Sequence, residues 1–521
     1  MIATGRFLAR CASLSVLVMS CRQAPADTDA QTADAATLEV AEVPDAPDGA
    51  MADGAPEDVV ADVAAEVASS SSVTWLATEL LGRPSAEGVT LNLVPANDAE
   101  AYVELGTAPD VYAVQTAPQS SPAGEPLVFD VNGLTGNTRY FYRVRFRAPG
   151  EAAFAALAPH SFHTARPPGE TFVFTVQADS HMDDKSSVAI YHQTLQNALA
   201  AQPDFHIDLG DTFMCEKHSA PLQAEVKPAP DLQTVITRYL YERQHFGLIA
   251  HSTPLFLVNG NHEGEIGYLN DGTPNNLAVW TTLARKRYFP NPQANPTYTT
   301  PQGAEPIVGQ RQHPYAWQWG DALFVALDPF WFTKSQVKQG NRWTWTLGKA
   351  QYDWLRATLE ASNAKYKFVF AHHIVGGTDS ASRGGIEMAP FFEWGGKEAD
   401  GTYTFDKNRP GWGKPIHQLF VDTHVSAFFH GHDHVFVRQE LDGVVYQEVP
   451  QPSATNTANG AQLATEGGYV AGTILSSSGH MRITVAPDQA KVEYVRTWLP
   501  ADAASGKQNG SVDNSYTIAP H

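Results

Sequence analysis

Apolar and polar residues alternate in short runs between about residues 72 and 166. Examples are "GVTLNLV", "AYVELGT" and "TRYFYRVRFR", and turn-forming residues separate the runs at close spacing. Strands that bury one face show this alternation, and a succession of short strands is typical of an antiparallel β-sandwich. The pattern therefore predicts an all-β domain over residues 72–166. No reactive combination of side chains is visible in it, so we interpret it as a structural or orienting module.

The pattern changes at about residue 170. Apolar runs typical of buried strands alternate there with helix-compatible stretches such as "SVAIYHQTLQNALAAQ" and "GKAQYDWLRATLEASNA". This alternation favours an α/β domain, which we place at residues 170–500. Its last apolar segment, "MRITVAPDQAKVEYVRTWL", predicts a closing β-hairpin. Residues 501–521 are polar and are predicted to form a tail.

The first 21 residues have the layout of a secretory signal peptide. Arg6 and Arg10 precede an apolar stretch that ends in small residues and is too short for a permanent transmembrane helix. The ending "VMSC" resembles a bacterial lipobox, in which Cys21 becomes the lipidated first residue. Ordinary cleavage at "APA", residues 24–26, is the alternative. Both interpretations predict export, either with a lipid anchor in the cell envelope or as a secreted protein.

Residues 22–71 are rich in Ala, Asp, Glu and Pro and carry twelve acidic residues against one Arg. Such a segment cannot bury enough apolar surface to offset its ordering entropy, so we predict a disordered acidic linker. The whole chain has a formal net charge of −21. This charge argues against nucleic acid or an anionic membrane surface as the main partner, because both favour clustered Lys and Arg.

Only three cysteines occur in the chain. Cys11 would leave with the signal peptide and Cys21 would be acylated, so Cys215 alone remains in the predicted folded region. No internal disulfide is then available. Cys215 is interpreted either as a buried, inert thiol or as a metal ligand.

Five apolar runs in the α/β region stop abruptly at polar residues. Strands of an open α/β sheet gather a ligand site at their carboxyl ends, so we expect the five motifs to meet in one crevice. The motifs are "TFVFTVQA" before Asp179, Ser180 and His181; "DFHIDL" before Gly210 and Asp211; "PLFLVN" before Gly260, Asn261, His262 and Glu263; "YKFVFA" before His372 and His373; and "VSAFFH" before Gly431, His432, Asp433 and His434.

The side chains of these motifs are suited to transition metals. Asp, His and Asn supply hard or borderline donors for divalent or trivalent ions. Two aspartates, one amide and four imidazoles are more ligands than one ion needs. Asp211 is central among them, because the two oxygens of a carboxylate can bridge two cations.

The ordered set DSH, GD, GNHE, AHH and GHDH resembles the five motifs of the calcineurin-like metallophosphoesterases. The preceding sandwich resembles the arrangement in purple acid phosphatases, and "LTGNTRYFYRVRFR" resembles the tyrosine-corner region of immunoglobulin and fibronectin type III domains. The resemblance implies a four-layer metallophosphoesterase β-sandwich flanked by helices, an α/β fold. It also implies two ions, with Fe, Mn and Zn as the alternatives, and hydroxide attack on phosphorus.

The family pattern assigns a role to each matching position. One metal would be bound by Asp179, His181, Asp211 and His434. The second metal would be bound by Asp211, Asn261, His372 and His432. Asn261 and His262 would also contact the substrate, and His262 would help the leaving oxygen to depart without binding metal.

Two departures from the related patterns matter. Purple acid phosphatases carry a metal-binding Tyr where this chain has Met214, and they generally lack the His that corresponds to His181. We therefore predict a colourless site closer to the wider metallophosphoesterase family. Other family members place an acid or amide at the Met214 position to orient the phosphate-facing His. Because Met214 cannot do so, we expect Glu263 or a backbone carbonyl to orient His262.

Several neighbouring residues have less defined roles. His373 and His430 are left out of the metal set. His373 is expected to point away from the metals, and His430 is interpreted as structural. Arg383 lies in a Gly-rich segment after His372 and is a candidate for phosphate binding, with a solvated loop Arg as the alternative. An aromatic group could line a substrate pocket, although core packing is the preferred interpretation. The group comprises Phe330, Trp331, Phe332, Trp343 and Trp345.

The leading hypothesis is an exported phosphatase that hydrolyses phosphate monoesters with a dinuclear metal centre. The alternative within the same class is a phosphodiesterase that acts on cyclic nucleotides or phospholipid head groups. A third hypothesis is a noncatalytic surface protein that uses the metallophosphoesterase domain as a scaffold. The complete set of ligand positions argues against the third.

Overall fold

The computed structural model describes residues 71–183, 185–217, 231–336, 341–376 and 383–521. All of them belong to one compact unit. The predicted signal peptide and nearly all of the predicted acidic linker lie outside the described residues, as do Cys21 and the alternative cleavage position. No helix in the described ranges is long and apolar enough to cross a membrane.

Two antiparallel sheets form the first part of the described chain. Their strands are β1 (Trp75–Gly82), β2 (Gly88–Pro95), β3 (Ala99–Gly106), β4 (Val114–Gln115), β5 (Gln119–Ser121), β6 (Leu127–Asn132), β7 (Arg139–Arg147), β8 (Ala155–Ala156) and β9 (His160–His163). One sheet has the order β1-β2-β6, and the other has the order β4-β3-β7-β8. In the second sheet β5 also pairs with β3, and β9 also pairs with β7. The two sheets enclose one apolar cluster, so this region is the all-β sandwich that the alternating pattern predicted.

Strand β7 shows how the sequence produces the sandwich. Tyr140, Tyr142, Val144 and Phe146 are buried, whereas the residues between them are only partly buried. The period of two places one face of the strand in the core. The Tyr140 hydroxyl accepts a hydrogen bond of 2.9 Å from the backbone N–H of Thr135, which joins the start of the strand to the preceding turn.

The remainder of the chain is an α/β assembly. Its strands are β10 (Phe172–Gln177), β11 (Phe205–Asp208), β12 (Leu255–Leu257), β13 (Tyr315–Trp319), β14 (Ala322–Ala326), β15 (Tyr366–Phe370), β16 (Ala427–His430), β17 (Phe436–Leu441), β18 (Val444–Glu448), β19 (Thr473–Leu475), β20 (Gly479–Val485), β21 (Ala490–Arg496) and β22 (Val512–Ile518). Its helices are α1 (Val188–Ala200), α2 (Leu232–Ala250), α3 (Leu277–Tyr288), α4 (Lys349–Ala361), α5 (Phe392–Gly395), α6 (Phe405–Asn408), α7 (Ile416–Asp422) and α8 (Gly460–Gly467).

These strands form two mixed sheets that face each other. Within the described ranges, one sheet has the order β12-β11-β10-β20-β21-β22 and the other has the order β13-β14-β15-β16-β18-β17-β19. Apolar residues from both sheets share one buried cluster, which includes Phe174, Phe324 and Phe370. Helices α1 to α3 cover the outer face of the first sheet, and α4 and α7 cover the second. The four-layer fold therefore agrees with the prediction.

The predicted tail at residues 501–521 is wrong for its second half. Residues Val512–Ile518 form β22, which pairs antiparallel with β21. Tyr516 and Ile518 are buried, and the Tyr516 hydroxyl donates a hydrogen bond of 2.9 Å to Gln447 Oε1 in the second sheet. This strand was missed in the sequence because its composition is polar. An edge strand buries one face and exposes the opposite face to water, so few of its residues are apolar.

The sandwich packs closely on helix α2. Ala77 and Leu80 of β1 share an apolar cluster with Phe246 and Ala250 of α2. Arg243 in the same helix is buried and donates a hydrogen bond of 2.6 Å to the carbonyl of Asn92 in the sandwich. Buried apolar contacts and the hydrogen bond from Arg243 to Asn92 together make this junction part of the fold's interior.

Tyr516→Ala should lower the free energy of unfolding by about 3 kcal/mol, because the change empties a buried aromatic site and leaves Gln447 without its partner. Thr517→Ala is the matched control, since Thr517 is the exposed neighbour on the same strand. Thermal unfolding of both variants measures the difference. Equal transition temperatures for the two variants would mean that β22 does not contribute to the core.

The junction should also weaken at acidic pH. The rings of His160 and His251 stack across it with centroids 4.0 Å apart. Burial and the neighbouring His251 lower the pKa of His160 to about 3, and burial lowers the pKa of His251 to about 4. Because the unfolded chain then binds more protons, stability is complete above about pH 6.5 and declines as pH falls toward 4.

His160→Phe keeps an aromatic ring at the junction but removes one titrating group. The variant should lose less thermal stability than the wild type between pH 7 and pH 5, by at most about 1.4 kcal/mol per pH unit. Thr517→Ala, which changes an exposed residue without a titrating group, should keep the wild-type dependence. An unchanged pH dependence in His160→Phe would contradict the inference that His160 makes the stability of the junction depend on pH.

Candidate metal centre

The five sequence motifs meet where five strands end. Strands β10, β11 and β12 of the first sheet lead into the segments of Asp179, Asp211 and Asn261. Strands β15 and β16 of the second sheet lead into the segments of His372 and His432. Each group of strands is parallel, so its carboxyl ends lie at one edge. The structure thus brings the motifs of both sheets together, as the sequence predicted.

One group of potential metal ligands consists of Asp179, His181 and His434, whose donor atoms all lie within 4.8 Å of one another. The Asp179 Oδ1 atom is 3.5 Å from His434 Nε2 and 3.8 Å from His181 Nε2. His181 Nε2 is also 3.7 Å from Asp211 Oδ2. These are the four residues that the family pattern assigns to the first metal.

A second group consists of Asp211, His372 and His432, with the same limit of 4.8 Å between donor atoms. The Asp211 Oδ2 atom is 3.0 Å from His372 Nε2, which is 3.3 Å from His432 Nδ1. Asp211 therefore lies between the two groups, where a bridging carboxylate would have to lie.

Three atoms of this cluster test whether cations fit the site. Asp179 Oδ1, His181 Nε2 and Asn261 Oδ1 are buried and make no hydrogen bond within the described part of the chain. Buried polar atoms are nearly always satisfied, so these three require a partner. Carboxylate, imidazole and amide donors suit a transition-metal ion, and the residues present fit a two-metal site.

The orientation of His372 also suits metal binding. Its Nδ1 atom lies 3.0 Å from the backbone carbonyl of Leu209, which fixes Nδ1 as the donor and leaves Nε2 facing Asp211. Burial alone lowers the pKa of His372, but the carboxylates of Asp211 and Asp179 outweigh it and raise the pKa to about 9. In the absence of metal these carboxylates favour a proton on His372, which a cation would replace.

Several of these residues have strained backbones. The φ angles of Asp179, His181, Asp211, His432 and His434 lie between +55° and +84°. Non-glycine residues adopt this left-handed region at a cost that surrounding contacts must offset, and such residues cluster at functional sites. Here the turns direct each side chain into the same crevice directly after its strand.

Glu263 does not orient His262, contrary to one of the two expectations. Its buried carboxylate accepts hydrogen bonds from backbone N–H groups of the neighbouring loops. The donors are Asp211 at 3.0 Å, Thr212 at 2.8 Å, Phe213 at 3.1 Å and also Gly260. Glu263 therefore joins the loop after β11 to the loop after β12.

The residue that contacts the His262 ring is Glu216, which sequence reasoning missed. His262 Nδ1 lies 2.7 Å from Glu216 Oε1, and His262 Nε2 lies 3.8 Å from Asp211 Oδ2. His262 is thus at the edge of the cluster, with one nitrogen toward Glu216 and the other toward the metal ligands. An acidic residue five positions after Asp211 was the available signal, but the family pattern directed attention to Met214.

Arg383 lies beside the cluster. Its Nη1 atom donates a hydrogen bond of 2.8 Å to Asp433 Oδ1, and Tyr469 donates one of 2.8 Å to the other oxygen of Asp433. His430 Nδ1 is 2.6 Å from the buried carboxylate of Glu448, which agrees with a structural role for this His. These contacts support the turn that carries His432 and His434.

The remaining sequence interpretations concern packing. Cys215 is a buried free thiol in the apolar cluster beneath the site, and burial raises its pKa. In the described ranges, no group of metal-ligating residues includes Cys215. Phe330, Trp343 and Trp345 are buried in the core, which agrees with the preferred interpretation of core packing. Trp331 is also buried. Phe332 is exposed.

Comparisons with known proteins agree with this architecture. No protein-family model and no curated protein matches the sequence. The solved structure of PhoD is similar with a TM-score of 0.61 and 14% identity, and the match covers 86% of this chain and 91% of that chain. Purple acid phosphatase PPD1 from yellow lupin (Lupinus luteus) seeds is similar with a TM-score of 0.53 and 15% identity, covering 85% and 74%.

The chain has the calcineurin-like metallophosphoesterase fold, as its five motifs predicted. Both matches span more of the chain than the α/β region alone, so the similarity extends into the sandwich. At 14% and 15% identity these likenesses show the fold.

Asp211→Asn should lower the number of metal ions bound per chain, because an amide has a single oxygen and no charge with which to bridge two cations. Elemental analysis of protein purified under matched conditions measures the ratio. Asp353→Asn is the control, since Asp353 is an exposed helix residue that pairs with Lys349. Full metal content in Asp211→Asn would rule out the bridging role.

Proposed function

We propose that the protein is an exported, metal-dependent phosphoester hydrolase that acts on phosphate monoesters. The observation that carries this proposal is the position of Asp211 between two groups of metal-ligating residues. Asp179, His181 and His434 lie on one side, and His372 and His432 on the other. The metallophosphoesterase fold supports the same activity.

The residues of this chain would hold two ions of Fe, Mn or Zn. Asp179, His181 and His434 would bind one ion, Asn261, His372 and His432 would bind the other, and Asp211 would contact both. When bound, the two ions would lower the pKa of a water molecule and neutralise charge on the phosphoryl group. Asn261 Oδ1 is buried without a hydrogen bond, which supports its place in the second set.

Three side chains at the rim would act on the substrate. His262 lies beside Asp211 and would contact the leaving oxygen, while Asn261 would contact the phosphoryl group. Arg383 is held by Asp433, and about a third of its side chain is exposed. A guanidinium in this position could bind phosphate oxygens in two-point fashion. The site thus combines metal ligands with polar groups for a dianionic ester.

Export rests on the sequence of residues 1–21. Its two arginines, short apolar stretch and small residues are typical of a secretory signal peptide. Lipidation at Cys21 would attach the chain to the cell envelope, and cleavage near residues 24–26 would release it. In both cases the phosphate esters would be met outside the cytoplasm.

The purified protein, supplied with Mn²⁺, Zn²⁺ or Fe, should hydrolyse p-nitrophenyl phosphate faster than bis-p-nitrophenyl phosphate. Release of p-nitrophenol measures both rates. Faster turnover of the diester would favour a phosphodiesterase, and turnover of neither ester would favour a noncatalytic scaffold.

A visible spectrum of the same samples tests the expectation of a colourless site, because a purple band would contradict the inference from Met214.

A further inference from the structure

We propose that Glu216 is a positioning residue, which holds the His262 ring so that Nε2 faces the metal ligands and the leaving group of the substrate. This inference rests on the proposed function and adds a residue that the family pattern does not supply. Neither Met214 nor Glu263, the positions that the sequence suggested, contacts the ring in this way.

The contact itself is short and partly shielded. Glu216 Oε1 lies 2.7 Å from His262 Nδ1, and the two side chains are 25% and 12% exposed. A carboxylate is only an acceptor, so Nδ1 must carry the proton in this hydrogen bond. The opposite nitrogen, Nε2, is then turned toward Asp211, at 3.8 Å from its Oδ2.

The backbone explains why residue 216 rather than residue 214 reaches the ring. Met214 has a φ of +52° and is fully buried, so the chain turns there and the thioether points into the interior. The next residue, Cys215, donates a backbone hydrogen bond of 2.9 Å to the carbonyl of His262. This bond places the following residue, Glu216, beside the imidazole.

The His262 backbone is fixed as well as its ring. The N–H of His262 donates a hydrogen bond of 2.7 Å to Asp211 Oδ1. The carbonyl of His262 is bound by Cys215, and Nδ1 is bound by Glu216. Three contacts from the loop after β11 therefore determine where the ring lies, and Glu216 is the one that determines how it is turned.

The chemistry of the leaving group gives this orientation a consequence. As the bond between phosphorus and the leaving oxygen breaks, its electron pair passes to that oxygen. With Nδ1–H directed at Glu216, Nε2 is a donor only when the ring carries a second proton. In that form Nε2–H stabilises the negative charge on the leaving oxygen, and Glu216 is the counter-ion of the ring. Poor leaving groups, such as alkoxides, depend on this donor more than p-nitrophenolate does.

The experiment compares three variants of the full chain, Glu216→Gln, Glu216→Ala and His262→Ala, with two substrates, p-nitrophenyl phosphate and an alkyl phosphate. Glu216→Ala should lower kcat about 10- to 100-fold for the alkyl ester and only about threefold for the aryl ester. Glu216→Gln keeps a hydrogen-bond acceptor but removes the charge, so its decrease in kcat should be smaller than that of Glu216→Ala. KM and the metal content should remain at wild-type values.

Two controls separate positioning from other effects. Glu170→Gln changes an exposed acid away from the site and should match the wild type. Glu216→Ala combined with His262→Ala should be no slower than His262→Ala alone, because Glu216 acts through the ring. Loss of metal in His262→Ala would instead identify His262 as a ligand, since its donor atom is close to those of His181 and Asp211.

A readout without turnover uses the metal-free protein labelled with ¹⁵N-histidine. The His262 resonances, assigned by their absence in His262→Ala, should show an Nδ1–H that is hydrogen-bonded in the wild type and should show the loss of that hydrogen bond in Glu216→Ala. Equal losses on both esters, or an Nδ1 that is unaffected by the variant, would overturn the role of Glu216 alone. No turnover by the wild type would overturn the proposed function and this role together.

Discussion

The candidate site depends on one buried carboxylate. Glu263 accepts backbone hydrogen bonds from Asp211, Thr212, Phe213 and Gly260, and so ties two loops from neighbouring strands to a single point. Bonds of this charge-assisted kind each contribute about 1.5–3 kcal/mol, and an unmade one is costly in the interior. Burial and the nearby Asp211 raise the pKa of Glu263 to about 7. Bound cations would favour its ionised form, so metal binding and loop geometry would reinforce each other.

Asp179 makes the corresponding connection between the two sheets. It follows β10 of the first sheet, and its Oδ2 accepts a hydrogen bond of 2.8 Å from the backbone N–H of His432, which follows β16 of the second. Gly431 permits this approach, because a Cβ atom there would lie 2.5 Å from Asp179 Oδ2. The other carboxylate oxygen of Asp179, Oδ1, faces His181 and His434. One side chain therefore joins the sheets and serves the candidate metal group.

Sequence alone predicted the sandwich, the four-layer α/β fold and the meeting of the five motifs, since strand periodicity and the carboxyl ends of parallel strands follow simple rules. It did not predict Glu216 or the true role of Glu263. The contacts of Glu216 and Glu263 depend on how the loops turn after their strands. A residue in the left-handed conformation, such as Met214, changes the chain direction and therefore where the following side chains lie. Strand β22 was missed for another reason. Its apolar residues, among them Tyr516 and Ile518, are too few to distinguish an edge strand from a polar tail.

The sandwich is best understood as part of the structure that holds the site. Helix α2 packs against β1, and its Arg238 donates a hydrogen bond of 2.8 Å to the carbonyl of Phe213. The Phe213 ring stacks on Tyr239 of the same helix, with centroids 4.0 Å apart. Since Phe213 is two residues after Asp211, contacts from the sandwich reach the loop of Asp211 through helix α2. Removing the sandwich would expose the apolar face of α2 and loosen the loop that carries Asp211, so the sandwich supports the site as well as preceding it in the chain.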